Sequence, residues 1–542
     1  MAERFQGGRL VARALVAEGI DAIFTLSGGH VMPIYEGCRL EGLRVVDVRH
    51  EQTAAHAAEA YGRMRRTAGV AVVTAGPGVT GTVTAVANAF AGQAPLVVIG
   101  GARPLVQSER GALQELDQLG LMKSITKWAG VCAHTERIPE HVALAFRHAL
   151  APPRGPVYLE LPMDVLFEDA APDPPVRAAR VDARACPDGR DVERAAALLS
   201  AAERPAIIAG SGVWWDGGAV ALDRLATALA APVFLNGAGR GSLPPQHPLL
   251  FQHARSMALA AADVVLVAGA ALDFRLRFGA FGDGALVHAH SDPRELGRNR
   301  LPDAALLGDT GLALAALATL VPDRAGAHDP WLERVAAAEQ AWHLAHADEL
   351  ASAAAPLHHY RLASELAAAL PDDAVVIGDG GDVVAAVSRV VRAGRPGHWL
   401  DPGPFGCLGV GPGYALGVGV AGAPGPIVVV LGDGAFGLNA MDVDSLVRAD
   451  VPAVLVVGND GAWGEIRIPQ IGIYGPAGEV ATRLLPSRYD RLVEVVGGHG
   501  EHVERPEELR PALARALASG TTAIVNVLLD PDAMAGHAYR GL

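Results

Sequence analysis

Ile427-Val-Val-Val-Leu431 runs directly into Gly432-Asp433-Gly434-Ala435-Phe436-Gly437, and Ala453-Val-Leu-Val-Val457 runs into Gly458-Asn459-Asp460-Gly461-Ala462-Trp463. Each apolar run is rich in β-branched residues, short, and bounded by glycine, which reads as a buried strand. A helix lies between them, so the two strands belong side by side and parallel. Each then ends in a carboxylate, and two carboxylates at neighbouring strand ends supply the oxygen ligands that a hard cation bridging two phosphates requires. The glycines beside Asp433 let backbone approach a phosphate, and the helix that follows offers its positive N-terminus. A lone Gly-Asp-Gly is more often a turn; the pair separated by a helix points to a metal and diphosphate site.

The same alternation extends along the chain, with apolar runs from Val70, Leu96, Ala206, Val264, Val375 and Ala523 between Ala-rich amphipathic stretches. Parallel sheets covered by helices follow, an α/β fold. Two stretches interrupt it, around 170–191 and around 321–355, and read as linkers. They divide the chain into three domains: residues 1–170, 190–322 and 355–542. A length of 542 residues, half of them apolar, suits that number. The formal net charge of −14 argues against a nucleic-acid or anionic-membrane surface, both of which need a basic face. No signal peptide or run of transmembrane length is read. Cys38, Cys132, Cys186 and Cys407 match no zinc spacing and suit reduced thiols in a cytoplasmic enzyme.

Near the other end, Arg44-Val-Val-Asp-Val-Arg-His-Glu51-Gln-Thr reads as a strand running into a helix, followed by Thr74-Ala-Gly76-Pro77-Gly78. A glutamate in a first helical turn is ordinarily a dipole or capping residue. Together with the paired strand ends, however, these segments resemble the thiamine diphosphate-dependent enzymes. The resemblance implies Mg²⁺ held by Asp433, Asp460 and the Ala462 carbonyl, with Asp460 standing where most relatives have asparagine. It makes Glu51 the acid that hydrogen-bonds the aminopyrimidine ring and activates the cofactor. Gly406-Cys407-Leu408-Gly409 matches the segment whose aliphatic wedge bends the cofactor, so Leu408 becomes the wedge and the Gly406 carbonyl an acceptor; a core leucine is the plain alternative. Pro77, Gly381, Asp382, Gly434, Ala435, Trp463 and Gly464 complete the implied cofactor contacts. The three domains become pyrimidine-binding, middle nucleotide-binding-like and diphosphate-binding. Homodimers or homotetramers with sites between subunits are implied.

Within that family the resemblance is nearest to 2-hydroxyacyl-CoA lyases, including acetolactate-synthase-like ones, and to benzaldehyde lyase. Shared segments include Ser27-Gly-Gly-His30, Arg110-Gly-Ala-Leu-Gln114-Glu115-Leu-Asp-Gln118 and Ile125-Thr-Lys-Trp128. His30, Gln114 and Glu465 take positions suited to proton traffic, with a solvated histidine and a surface glutamate as the ordinary alternatives. Glu115 could hold a water or a domain interface. Arg275 and Arg277, in Leu272-Asp-Phe-Arg-Leu-Arg-Phe-Gly279, are candidates for the phosphates of an acyl-CoA. Trp214 and Trp215 read as packing residues, and Gly210-Ser-Gly212 as too sparse for a dinucleotide fingerprint. The expected activity is cleavage of a 2-hydroxyacyl-CoA to a carbonyl compound and formyl-CoA, reversible as a carboligation. The alternatives are a benzaldehyde-lyase or acetolactate-synthase type carboligase, or a non-catalytic thiamine-family subunit. The short end His537–Leu542 argues against a long lid over CoA.

Overall fold

The computed structural model describes residues 5–170, 176, 178, 183–324 and 328–533; the His537–Leu542 end lies outside them. Three parallel sheets carry the chain. The N-terminal sheet is ordered Arg44–Asp47, Ala22–Thr25, Gly69–Val73, Leu96–Ala102, Pro156–Pro162, Trp128–Val131. The C-terminal sheet is ordered Trp399–Leu400, Val375–Asp379, Ile427–Gly432, Ala453–Asn459, Ala523–Leu528, His499–Val503. Numbered along the chain within each sheet, both read 2-1-3-4-6-5. The middle sheet has five strands, ordered Val233–Leu235, Pro205–Ala209, Val264–Ala268, Ala285–His290, Ala304–Leu307. The central strands are buried on both faces, which is why they read as unbroken apolar runs. No helix among the described residues is long and apolar enough to cross a membrane.

The N- and C-terminal sheets share one hydrophobic core, joined where helix Glu51–Arg65 packs on helix Gly411–Val420. Gly413 and Gly417, one turn apart, make the approach possible: a Cβ at Gly417 would lie 2.0 Å from the Ala57 carbonyl oxygen. Buried in this contact, Glu59 pairs with Arg63 at 2.5 Å. The stretch 321–355, read as a linker, contains helix Asp329–Ala345, which buries Trp331 and Val335 against the middle domain. Of the first linker, 171–175, 177 and 179–182 lie outside the described residues.

Candidate active site

In the C-terminal sheet the strand order reverses between Val375–Asp379 and Ile427–Gly432, which opens a crevice beyond their carboxyl ends. A cavity of about 140 Å³ lies there. Of the residues assigned from sequence, Gly381, Asp382, Leu408, Asp433, Gly434, Ala435, Asp460, Ala462, Trp463, Gly464 and Glu465 line it. Asp433 opens helix Asp433–Asn439 and is 1% exposed, yet neither carboxylate oxygen has a hydrogen-bond partner among the described residues. Burial, then the neighbouring Asp460 carboxylate, raises its pKa. Asp460 sits in a turn in which its carboxylate accepts the Ala462 N–H at 3.0 Å, and burial raises its pKa too. Asn459 points away from the cavity side of this turn: its amide donates to the Ser487 carbonyl and to Asn526 Oδ1.

Close approach explains the glycines. A Cβ at Gly434 would meet the Trp463 ring at 2.6 Å. One at Gly464 would lie 2.7 Å from an Asp460 oxygen and 2.8 Å from an Asp382 oxygen, so these two carboxylates flank the Gly464 backbone. Burial, helped by Glu465 and Asp460, pushes Asp382 up to about 7. Glu465 is exposed at the mouth, where partial desolvation raises its carboxyl. No lysine or arginine is among the described residues lining the cavity, and burial pushes the remaining basic group, His359, down to about 4. Four carboxyls face a space without a side-chain cation. An unpartnered buried carboxylate is costly unless a cation or proton joins it. The donor set therefore fits a hard divalent ion.

The N-terminal sheet carries the other assigned residues at equivalent strand ends. Glu51 heads its helix, its carboxylate against Gly81, where a Cβ would stand 2.8 Å from Oε2. His30, 7% exposed, holds its Nδ1 3.1 Å from Thr74 Oγ1, and burial lowers its pKa. Gln114 has a left-handed backbone (φ 60°) and lies over Gly76, where a Cβ would meet the Gln114 Cβ at 2.9 Å. Exposed Pro77 follows. Sequence reasoning missed what fixes this surface: Gln118 accepts the Gly76 N–H at 2.5 Å and donates to the Gly101 carbonyl, Tyr158 and Glu160. Only the burial of Gln118 marks it. Glu115 binds Arg103 and the backbone N–H groups of Glu109, Gly111 and Ala112, fixing its own loop. Within one chain, Glu51, His30, Pro77, Gln114 and the exposed Gly406 do not line this C-terminal cavity.

The middle sheet has its own crevice, about 470 Å³, at the matching strand reversal. Gly212 and Gly269 touch there, a Cβ at Gly269 lying 2.6 Å from the Gly212 Cα, so these few glycines do serve a close backbone crossing. Arg275 lines the crevice but is tied to Asp273 by a two-point pair, the shorter contact 2.6 Å. Arg277, expected beside it, is not among the lining residues, whereas Phe278 is; the backbone turns left-handed at both (φ 50° and 54°). Trp214 donates to the Arg63 carbonyl and packs on Gly397, whereas Trp215 lines the crevice.

Three thiamine pyrophosphate enzyme models match the chain in order: the N-terminal TPP binding domain over residues 5–121, the central domain over 192–317 and the C-terminal TPP binding domain over 379–527. The chain belongs to the thiamine diphosphate enzymes. Its cofactor is thiamine diphosphate. Among members of the family, a probable acetolactate synthase of Mycobacterium bovis and the acetolactate synthase large subunit IlvG of Mycobacterium tuberculosis are each 44% identical to it over 535 residues, 98% of this chain and 97% of theirs. A 2-hydroxyacyl-CoA lyase 2 of Bos taurus is 34% identical over 577 residues, 96% of this chain and 90% of its own.

Proposed function

We propose that the protein is a thiamine diphosphate- and Mg²⁺-dependent carboligase that takes its acyl donor from a free 2-keto acid or 2-hydroxy ketone, in the manner of an acetolactate synthase. The observation that carries the metal-dependent part is Asp433, buried, unpartnered and facing a cavity without a lining lysine or arginine. A diphosphate cannot enter such a site unless a cation cancels the carboxylates. Asp433, Asp460 and the Ala462 carbonyl would hold Mg²⁺, with Gly381, Asp382, Gly434 and Gly464 close to the diphosphate.

When bound, thiamine diphosphate supplies a carbon nucleophile that can become an electron sink for the cleaved bond. Glu51 would hold the proton at the aminopyrimidine ring nitrogen, and Leu408 would act as the wedge. His30 and Gln114 orient the carbonyl and hydroxyl groups of the reactants, and Glu465 exchanges a proton at the mouth. Because the Glu51 and Asp433 surfaces do not form one cavity within a chain, a second copy completes each site. Exposed Phe405, Leu438 and Met441 beside the Leu408 loop give an apolar surface for it to cover, in a homodimer or homotetramer.

Free carbonyl substrates stand ahead of acyl-CoA because Arg275 is already neutralised by Asp273 and Arg277 lies outside the crevice. The open middle-domain crevice, with Gly212 and Gly269 at its strand ends, is what favours the second reading, a 2-hydroxyacyl-CoA lyase. The test compares condensation of a short 2-keto acid with cleavage of a 2-hydroxyacyl-CoA, in the parent and in Arg275→Ala. The expected result is turnover of the keto acid, unchanged by the substitution. Turnover confined to the thioester, with kcat/KM falling roughly 10 to 100-fold in Arg275→Ala, would put the lyase reading in its place.

A further inference from the structure

Leu408 is held by groups that lie outside the cavity. Asp379 ends the strand Val375–Asp379 and is wholly buried. Its Oδ1 accepts the Gly409 N–H at 2.9 Å and its Oδ2 the Gly411 N–H at 2.7 Å. From the opposite side Asn439, at the end of the Asp433 helix, donates Nδ2 to the Gly409 carbonyl at 2.7 Å. Gly409 is thus gripped through both its N–H and its C=O. It must be glycine: φ is 81°, and a Cβ would lie 2.9 Å from the Leu438 Cβ.

This grip fixes where the preceding side chain goes. Leu408 Cδ2 occupies the space that a side chain at Gly380 would fill, 2.0 Å from that ideal Cβ position, and Ala435 closes the same space at 3.6 Å. Gly380 follows the Asp379 strand, and Ala435 follows Asp433. Asp379 therefore ties the Leu408 loop to the end of its own strand and, through Gly411, to the start of the helix that packs on the Glu51 helix, while Asn439 ties it to the helix that follows the neighbouring strand. Burial pushes Asp379 up to about 6 despite its N–H donors. A wholly buried carboxyl kept in this position does something that an apolar residue could not: it accepts two N–H groups two residues apart.

We propose that Asp379, assisted by Asn439, is a positioning residue that sets how far Leu408 projects between the two ends of the bound cofactor. The proposal rests on Leu408 being the wedge. Asp379 acts through Leu408 and not by contact with the cofactor.

The holoenzyme is compared as parent, Asp379→Asn, Asn439→Ala, Leu408→Ala and the double variant Asp379→Asn/Leu408→Ala. The readouts are thiamine diphosphate affinity at saturating Mg²⁺, the near-ultraviolet circular dichroism of the bound aminopyrimidine, and kcat. An asparagine at 379 offers an N–H to one of the two backbone N–H groups, which releases one side of the loop. Asp379→Asn should keep cofactor affinity within about threefold, because the diphosphate contacts are untouched, while kcat falls roughly 10 to 100-fold and the dichroism of the bound cofactor changes. Leu408→Ala should do the same, and the double variant should be no worse than the more impaired single one. Parent-like dichroism and kcat in Asp379→Asn, or losses that multiply with Leu408→Ala, would overturn the proposal. If Leu408→Ala itself leaves both unchanged, the wedge reading falls and the proposal with it. Should Asp379→Asn not fold, Asn439→Ala decides: a shifted dichroism at retained cofactor affinity supports the proposal, and a parent-like spectrum overturns it.

Discussion

Replacing Asp460 by asparagine keeps the shape of the turn and removes one charge from a cluster that holds Asp382, Asp433 and Glu465 as well. At an effective dielectric of about 20, two unit charges 4 Å apart interact by about 4 kcal/mol, and a divalent ion feels each carboxylate about twice as strongly as a neighbouring carboxylate does. The metal therefore loses more attraction than the remaining acids lose repulsion. The amide oxygen still ligates, and solvent screens part of the difference. The expected net loss is about 1.4–2.8 kcal/mol, roughly 10 to 100-fold in Mg²⁺ affinity without cofactor. With thiamine diphosphate present the loss should shrink, because the phosphate charges no longer face the Asp460 carboxylate. Isothermal titration of the apoprotein with Mg²⁺, with and without cofactor, measures both numbers. Unchanged Mg²⁺ affinity without cofactor would show that Asp460 is not a ligand. An equal loss in both titrations would show that its charge does not reach the diphosphate.

Glu51→Gln should fold and bind cofactor with near-parent affinity while losing almost all turnover, since only control of the aminopyrimidine proton is removed; parent-like kcat would refute the role of Glu51. Asp379 and Asp382 are raised to about 6 and about 7, so the unfolded chain releases these protons near pH 4 while the folded apoprotein keeps them. Their contribution to stability is therefore greatest below pH 4 and falls as pH rises to about 7, by about 3 kcal/mol for Asp379 alone. Calorimetric scans of the apoprotein from pH 5 to 8 should show a Tm slope that is shallower in Asp382→Asn, and Mg²⁺ with cofactor should flatten the parent between pH 6 and 8. A slope in Asp382→Asn identical to the parent's would refute the reading of Asp382 as a strained carboxyl.

What the sequence disclosed followed from locality. The Ile427–Gly432 and Ala453–Asn459 strands are buried on both faces, so their apolar runs announce them, and the proposed metal ligands follow within a few residues of each. Trp128–Val131 and His499–Val503 went unread because they are half-buried edge strands interrupted by glycine or polar residues. Helix Asp329–Ala345 passed as linker because only Trp331, Val335 and Glu339 of it are buried. Arg277 looked equivalent to Arg275 two residues earlier, but it sits in a left-handed turn and does not line the crevice. Asp379 gave no signal either, since its partners at 409 and 411 are backbone groups some 30 residues away.

The repeated strand order explains why one fold can carry such different chemistry at its two ends. In both terminal sheets the order reverses between the first and third strands, so the residues just after those strands face a crevice. In the N-terminal sheet those residues include His30 and Thr74 through Pro77, and Glu51 follows the neighbouring second strand. In the C-terminal sheet they are Gly380 through Asp382 and Asp433. The first crevice thus offers one carboxyl and a neutral histidine, suited to proton control at a heterocycle; the second offers clustered carboxyls, suited to a cation and the anion that it carries. Neither half suffices, because proton control needs the ring fixed and fixing the ring needs the diphosphate anchored. A cofactor long enough to touch both must bend between them, and Leu408, pressed against Gly380 at the rim of the second crevice, stands where that bend would be imposed.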